Sequence, residues 1–163
     1  MLVQWLLFIH VLGVISFFLF HGVSAVMALR LRIETDMARI RALLDLSRMS
    51  LLPMGIGFGL MGLSGIILPF LVHLWDRVYI WLSIVLILGV AIYMTVYNET
   101  HYRRLRRLVG LPYLQGNKSY PAEAPRSPEE VHAFLKSFNV APLAVAGFAV
   151  PAIVLWLMVF KPF

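Results

Sequence analysis

The sequence predicts an all-α, polytopic membrane protein: a four-helix bundle with short amphipathic interfacial helices in its cytoplasmic loops. Three observations carry this. Of 163 residues, 61% are hydrophobic and only 13% charged, whereas about a quarter of a soluble domain is charged. Four apolar runs exceed the roughly 18 residues needed to cross the hydrocarbon layer, leaving little chain for a separate soluble domain. Of the 14 Lys and Arg residues, all but Arg77 and Lys161 fall in the loops after the first and third runs. The expected organisation is one transmembrane domain, 1–163, with spans at about 2–29, 51–74, 78–98 and 140–160. Cytoplasmic loops then cover about 30–50 and 99–139.

The first span contains FIHVLGVISFFLFHGVSAVMALRLR, residues 8–32. It carries His10 and His21, has no formal charge before Arg30, and ends on Arg30 and Arg32. Val26, Met27 and Ala28 loosely match a signal-peptide cleavage site. However, MLVQW lacks Lys and Arg and the run is about twice the usual signal length, so a retained helix is expected. After it, Thr35 and Asp36 offer a helix start, and Met37, Ile40 and Leu44 recur at helical spacing. A short amphipathic helix near the inner membrane surface follows from that pattern.

In the second span Gly55 and Gly59 form a small-xxx-small pair, with Gly62 one turn on, which predicts a face that a neighbouring backbone approaches closely. Gly57, Gly59 and Gly62 also satisfy GxGxxG, but the fingerprint needs a preceding strand, and here the surroundings are apolar helix. Pro53 and Pro69 lie near the two ends, where they start or kink a helix without destroying its centre. Residues 73–77 are a tight polar connection, so spans two and three form an antiparallel hairpin.

The third span ends at Arg103, Arg104, Arg106 and Arg107. As this cluster abuts a membrane helix, it reads as a topology anchor that meets membrane lipids and not as a nucleic-acid patch. Residues 110–126 are polar and proline-rich, the composition of a loop or semi-flexible linker. Ser127-Pro128-Glu129-Glu130 combines an N-cap, a first-turn proline and a capping-box glutamate. It opens a short helix whose Val131, Phe134, Leu135 and Phe138 predict an interfacial location. In the last span Ala144, Gly147 and Pro151 make a small-residue face.

The distribution of Lys and Arg places both termini outside, with a bacterial inner membrane as the expected location. Trp5, Trp75, Trp81 and Trp156 then all lie near the outer boundary, as an aromatic belt requires.

Imidazole inside a membrane is costly unless it is hydrogen-bonded, ligated or facing a polar cavity. Eleven residues turn a helix by three turns plus about 20° and advance it by about 16 Å, so His10 and His21 share a face at two depths and cannot hold one metal ion. Two stacked histidines suit one axial ligand to each of two b-type haems. Their nominal partners, His73 and His101, lie nearer the surface by roughly 7–10 Å, counting 1.5 Å per residue, which leaves single ligation or completion by another subunit. The other reading is hydrogen bonding across helices. His132 is expected to be exposed at the interface. Met27, Met54, Met61, Met94 and Met158 offer thioethers that favour cuprous copper, although methionine also fills apolar cores. The absence of cysteine excludes thiolate zinc sites, iron–sulfur clusters and cysteine nucleophiles. No Asp or Glu lies at mid-depth, which argues against a carboxylate proton pump, and no serine has a recognisable base and orienter.

FIHVLGVISFFLFHGVSA with its arginine-bounded exit, DMARIRALLDLS, and the Pro/Gly-rich second span resemble the small four-helix relatives of the copper-resistance D (CopD) membrane proteins, specifically their uncharacterised branch. The resemblance covers about the first 75 residues. It implies a four-helix bundle and, for the copper-resistance members, copper uptake. The expected function is a non-catalytic accessory or structural subunit packed against other integral membrane subunits of a respiratory or photosynthetic complex. The alternatives are a haem b electron-transfer subunit using His10 and His21, and CopD-like copper transport.

Overall fold

The computed structural model describes residues 1–162, with Asn98 and Val140 described by backbone alone. The chain runs through α1 (Leu2–Leu31), α2 (Met37–Leu71) and α3 (Val78–Tyr97), then a wide π-type turn (Asn98–Tyr102) into α4 (Arg103–Leu108). A hairpin of β1 (Tyr113–Gln115) and β2 (Lys118–Tyr120) follows, then α5 (Pro128–Lys136) and α6 (Val140–Ala144). A second π-type turn (Val145–Ala149) leads into α7 (Val150–Phe160). Four helical stretches are long and apolar enough to cross a membrane: Leu2–Leu31, Met37–Leu71, Val78–Leu108 and Ala141–Phe160. The protein is an integral membrane protein built mainly of helix.

Helix starts follow the expected capping chemistry. Asp36 accepts from the Ala38 and Arg39 amides, and Ser127 from the Glu130 amide. Asn139 caps α6 through the Ala141 amide at 3.1 Å. The expected break before the second span is absent, since residues 37–71 form one continuous rod. Pro53 withholds a single backbone donor, and no glycine or capping residue stands beside it to end the helix. The amphipathic segment and the apolar segment are therefore parts of one helix.

The most extensive helix contact is between α1 and α2, followed by α3 against α7. The α1–α2 crossing is set by Gly13 and Gly57. A Cβ on Gly13 would stand 2.6 Å from the Met61 amide nitrogen, and one on Gly57 2.7 Å from that of Phe17. Backbone meets backbone there.

The tightest packing lies at the arginine end and not in the spans. Leu31, Ile40, Leu105, Val109 and Val131 are each 0% exposed, and Met27, Leu44, Leu135 and Phe138 complete the cluster. The loops thus fold into a cap in which the apolar face of α5 is buried against α1, α2 and α4. The apolar face from which an interfacial location was expected is thus covered by protein side chains. Residues 110–126 are likewise more than a linker: Tyr113 pairs with Tyr120, Leu114 with Ser119 and Gln115 with Lys118. Gly116 (φ 57°) opens the two-residue loop between them, a left-handed position that glycine adopts without strain. A smaller cluster of Tyr79, Ile80 and Leu157, flanked by Trp75, closes the opposite, tryptophan end.

Candidate functional site: the membrane histidines and the arginine cap

His10 faces α2. Its Nδ1 lies 2.9 Å from the Met61 carbonyl, and as a carbonyl only accepts, Nδ1 carries the proton and Nε2 is left as the acceptor. Ser64 Oγ stands 3.3 Å from the same nitrogen, and its hydroxyl donates to the Leu60 carbonyl. Gly65 makes the space, since a Cβ there would come within 3.0 Å of the ring.

His21 faces the last span instead. Its Nε2–H donates to the Gly147 carbonyl at 3.2 Å, while its ring stacks on Phe17 with centroids 5.4 Å apart and planes 12° from parallel. A Cβ on Gly147 would sit 3.1 Å from that Nε2. The sequence supplies a reason for the bond. In a regular helix the Gly147 carbonyl is met by the amide four residues on, but that residue is Pro151, which has no N–H. The imidazole supplies the donor that proline withholds. The π-type turn 145–149, closed by the Val150 amide on the Val145 carbonyl, is the local distortion around it.

The two histidines therefore tie α1 to α2 at one depth and to the last span at another. None of the other histidines joins them. His73 lies exposed in the α2–α3 connection at φ 52°. His101 stacks on Tyr97 at 4.2 Å and bonds Thr100, and His132, only partly exposed, bonds the Thr35 carbonyl at 3.0 Å. Among the described residues no group of three or more His, Asp or Glu side chains is placed to hold a metal ion. A pair of haem sites does not fit this geometry at His21, whose Nε2 is committed to Gly147 and whose ring is covered by Phe17. Of the two membrane histidines, His10 makes no hydrogen bond through Nε2 among the described residues. Met61 meets His10 through its carbonyl and not its thioether, so that contact makes no His–Met copper pair.

The expected packing glycines divide. Gly147 is buried against His21 and Ala144 is half-buried nearby. A Cβ on Gly55, Gly59 or Gly62, by contrast, meets nothing within 4 Å. The face of α2 that α1 covers carries Gly57 and Gly65 instead, which the small-xxx-small pattern did not single out.

The arginines at the other end are specific fasteners. Arg106 is 8% exposed and uses its whole fork: Nε to the Pro112 carbonyl at 2.7 Å, Nη1 to the Leu44 carbonyl at 3.1 Å and Nη2 to Asp45 at 2.9 Å. It fastens α2, α4 and the following loop together, a role lysine lacks the geometry to fill. Arg41 bonds the Val109 carbonyl at 2.8 Å, Arg103 pairs with Glu99 at 2.6 Å, and Arg104 lies 4.7 Å over the Phe134 ring. Glu123 accepts from the Tyr113 hydroxyl at 2.8 Å and from Arg107, and these bonds hold its carboxyl below the usual range, Tyr113 contributing most. Glu34 is held low chiefly by the Asp36 amide, then by the Thr35 amide and the nearby Arg30 and Arg39.

Fold and site together define an integral membrane protein in which His10 and His21 serve as ties between helices and the basic loops form a folded cap. No family model, no curated protein and no solved structure matches the chain.

Proposed function

We infer that the protein is a small non-catalytic membrane subunit, a four-span bundle that packs against larger integral membrane partners, with its basic cap on the cytoplasmic side and both termini outside. The observation that carries this reading is the unfilled glycine face of α2. Gly55, Gly59 and Gly62 recur at helical spacing and this chain leaves them uncovered; small residues at such spacing let a second helix approach closely where lipid gives no hydrophobic drive. Support also comes from His10 and His21, each of which bonds a carbonyl of a neighbouring helix.

The test is co-purification from the native membrane in mild detergent. Gly59→Leu is expected to release partner subunits while the helical circular dichroism stays unchanged. A variant that retains every partner, or a wild-type chain that purifies as an active monomer with its own substrate, overturns the reading. Because the chain has no cysteine, single cysteines placed at Ser119 and Pro162 report orientation directly. A membrane-impermeant maleimide added to intact cells should label the second and not the first.

A second reading, single haem ligation, rests on His10 alone, whose Nδ1–H on a carbonyl leaves Nε2 directed away as in a ligating imidazole. A Soret band abolished by His10→Ala and kept by His21→Ala supports it, and no such band in protein from the native membrane ends it.

A further inference from the structure

Where α2 and α3 pass from apolar to charged sequence, a hollow of about 110 Å³ opens between α2, the π-type turn before α4, and the β-hairpin. Its wall brings together Arg48, Arg103 and Arg106, with Ser47 beside them and Glu99 as the one carboxylate. Two of the guanidinium groups are already engaged, Arg103 by Glu99 and Arg106 by Asp45 and two carbonyls. Arg48 makes no ion pair or hydrogen bond among the described residues. Counting Asp45, the hollow keeps one uncompensated positive charge, on Arg48, with the Ser47 side chain beside it and the engaged Arg103 and Arg106 adding to the local positive field. The adjoining wall is apolar: Leu51 and Leu114 line it, and Leu52 and Val96 lie exposed on the flanking helices.

We propose that this hollow binds a phosphate group, delivered as the head of an anionic phospholipid whose acyl chains lie along α2 and α3. Phosphate oxygens accept from guanidinium and hydroxyl donors at once, and Arg is suited to that recognition. Basic pockets at the cytoplasmic boundary between spanning helices are where such head groups are held. The position at the edge of two apolar helices favours the lipid over the free anion. The second basic hollow, lined by Arg104, Arg107 and Arg126 with Glu123, lies on the cap away from the α2 apolar run and serves as the control.

The experiment uses the full chain in nanodiscs of phosphatidylcholine, to which either phosphatidylglycerol or inorganic phosphate is added, with native mass spectrometry and thermal unfolding as readouts. One phosphatidylglycerol should be retained per chain and should raise the unfolding temperature. Arg48→Gln should weaken retention by roughly five- to tenfold, and Arg126→Gln should leave it unchanged. Glu99→Gln, which frees Arg103, should tighten retention, a gain that no folding defect produces. Inorganic phosphate acting alone through Arg48 would keep the phosphate site and replace the lipid as its source. Retention insensitive to both Arg48→Gln and Glu99→Gln, or weakened equally by Arg126→Gln, overturns the site.

Discussion

Replacing Gly57 by Ala should destabilise the protein although alanine is the better helix former, and the size of the effect follows from the α1–α2 crossing. The new Cβ would lie 2.7 Å from the Phe17 nitrogen and 3.1 Å from the Gly13 carbonyl oxygen, and ordinary contact begins at 3.4 Å. Both obstacles are backbone, so no side chain can swing away and the helices must part by about 0.7 Å locally. The same displacement stretches the His10–Met61 bond from 2.9 Å toward about 3.6 Å, where it ceases to be a hydrogen bond. Overpacking costs about 1–3 kcal/mol and the lost bond about 1 kcal/mol. Improved helix propensity offsets about 1 kcal/mol of this, leaving a net loss of roughly 1–3 kcal/mol. Gly59→Ala, two residues on, meets open space and should gain up to about 1 kcal/mol. The assay is reversible unfolding in mixed micelles by rising SDS fraction, followed by circular dichroism. The double variant Gly13→Ala/Gly57→Ala should cost less than the sum of its parts, because one separation relieves both clashes. Equal midpoints for Gly57→Ala and Gly59→Ala, or strict additivity in the double variant, would refute the backbone-contact argument.

Three further outcomes follow from the ties at each depth. Arg106→Ala leaves the Leu44 and Pro112 carbonyls without that donor and should cost about 2–4 kcal/mol, read as faster hydrogen exchange across 105–115; Arg106→Lys should recover little of it. His21→Ala should cost about 1–3 kcal/mol by orphaning the Gly147 carbonyl, and Pro151→Ala, which restores a backbone N–H within reach of it, should shrink that cost; an unchanged cost in the Pro151→Ala background speaks against the imidazole as a substitute donor. Glu34 and Glu123 both sit below the ordinary 4.5, so the stability they give the cap is complete above that value and is lost as pH falls through their lower folded-state pKa. Proteolysis of the 110–127 segment should therefore rise on acidification below 4.5, and Glu34→Gln/Glu123→Gln should already show that susceptibility at neutral pH and respond less to acid.

The spans were legible because their signal is collective. A run of 18 or more apolar residues needs no knowledge of its neighbours, and the four helices fall where hydropathy puts them. The caps at Asp36 and Ser127 were equally legible, since they act on amides two or three residues away. What stayed hidden depends on which face meets which neighbour. Gly55, Gly59 and Gly62 match the small-residue spacing as well as Gly57 and Gly65 match theirs, and only the direction from which α1 arrives distinguishes them. The cap was obscured differently: the apolar faces that carry Ile40 and Val131 were readable one by one, but their common burial with Leu105 is a contact across three segments far apart in sequence. Four adjacent arginines read as one charge cluster, whereas in the fold each has its own partner and only Arg106 is buried.

The two membrane histidines differ in how far a local rule reaches them. Gly147 and Pro151 stand four apart, so a carbonyl lacking its usual donor was readable from the sequence, and a buried imidazole elsewhere is a donor in need of an acceptor. Joining the two requires only that α1 and the last span meet at that depth. His10 has no such cue, because Met61 is followed four residues on by Gly65, whose amide is present; its bond to the Met61 carbonyl is an added one, permitted by the missing Cβ of Gly65. The two sites therefore differ in what holds them. At His21 the imidazole fills a deficit in the helix it meets, so its removal should be felt in the last span as much as in α1. At His10 the acceptor has a helical donor available, so substitution should leave α2 intact and weaken only the α1–α2 contact.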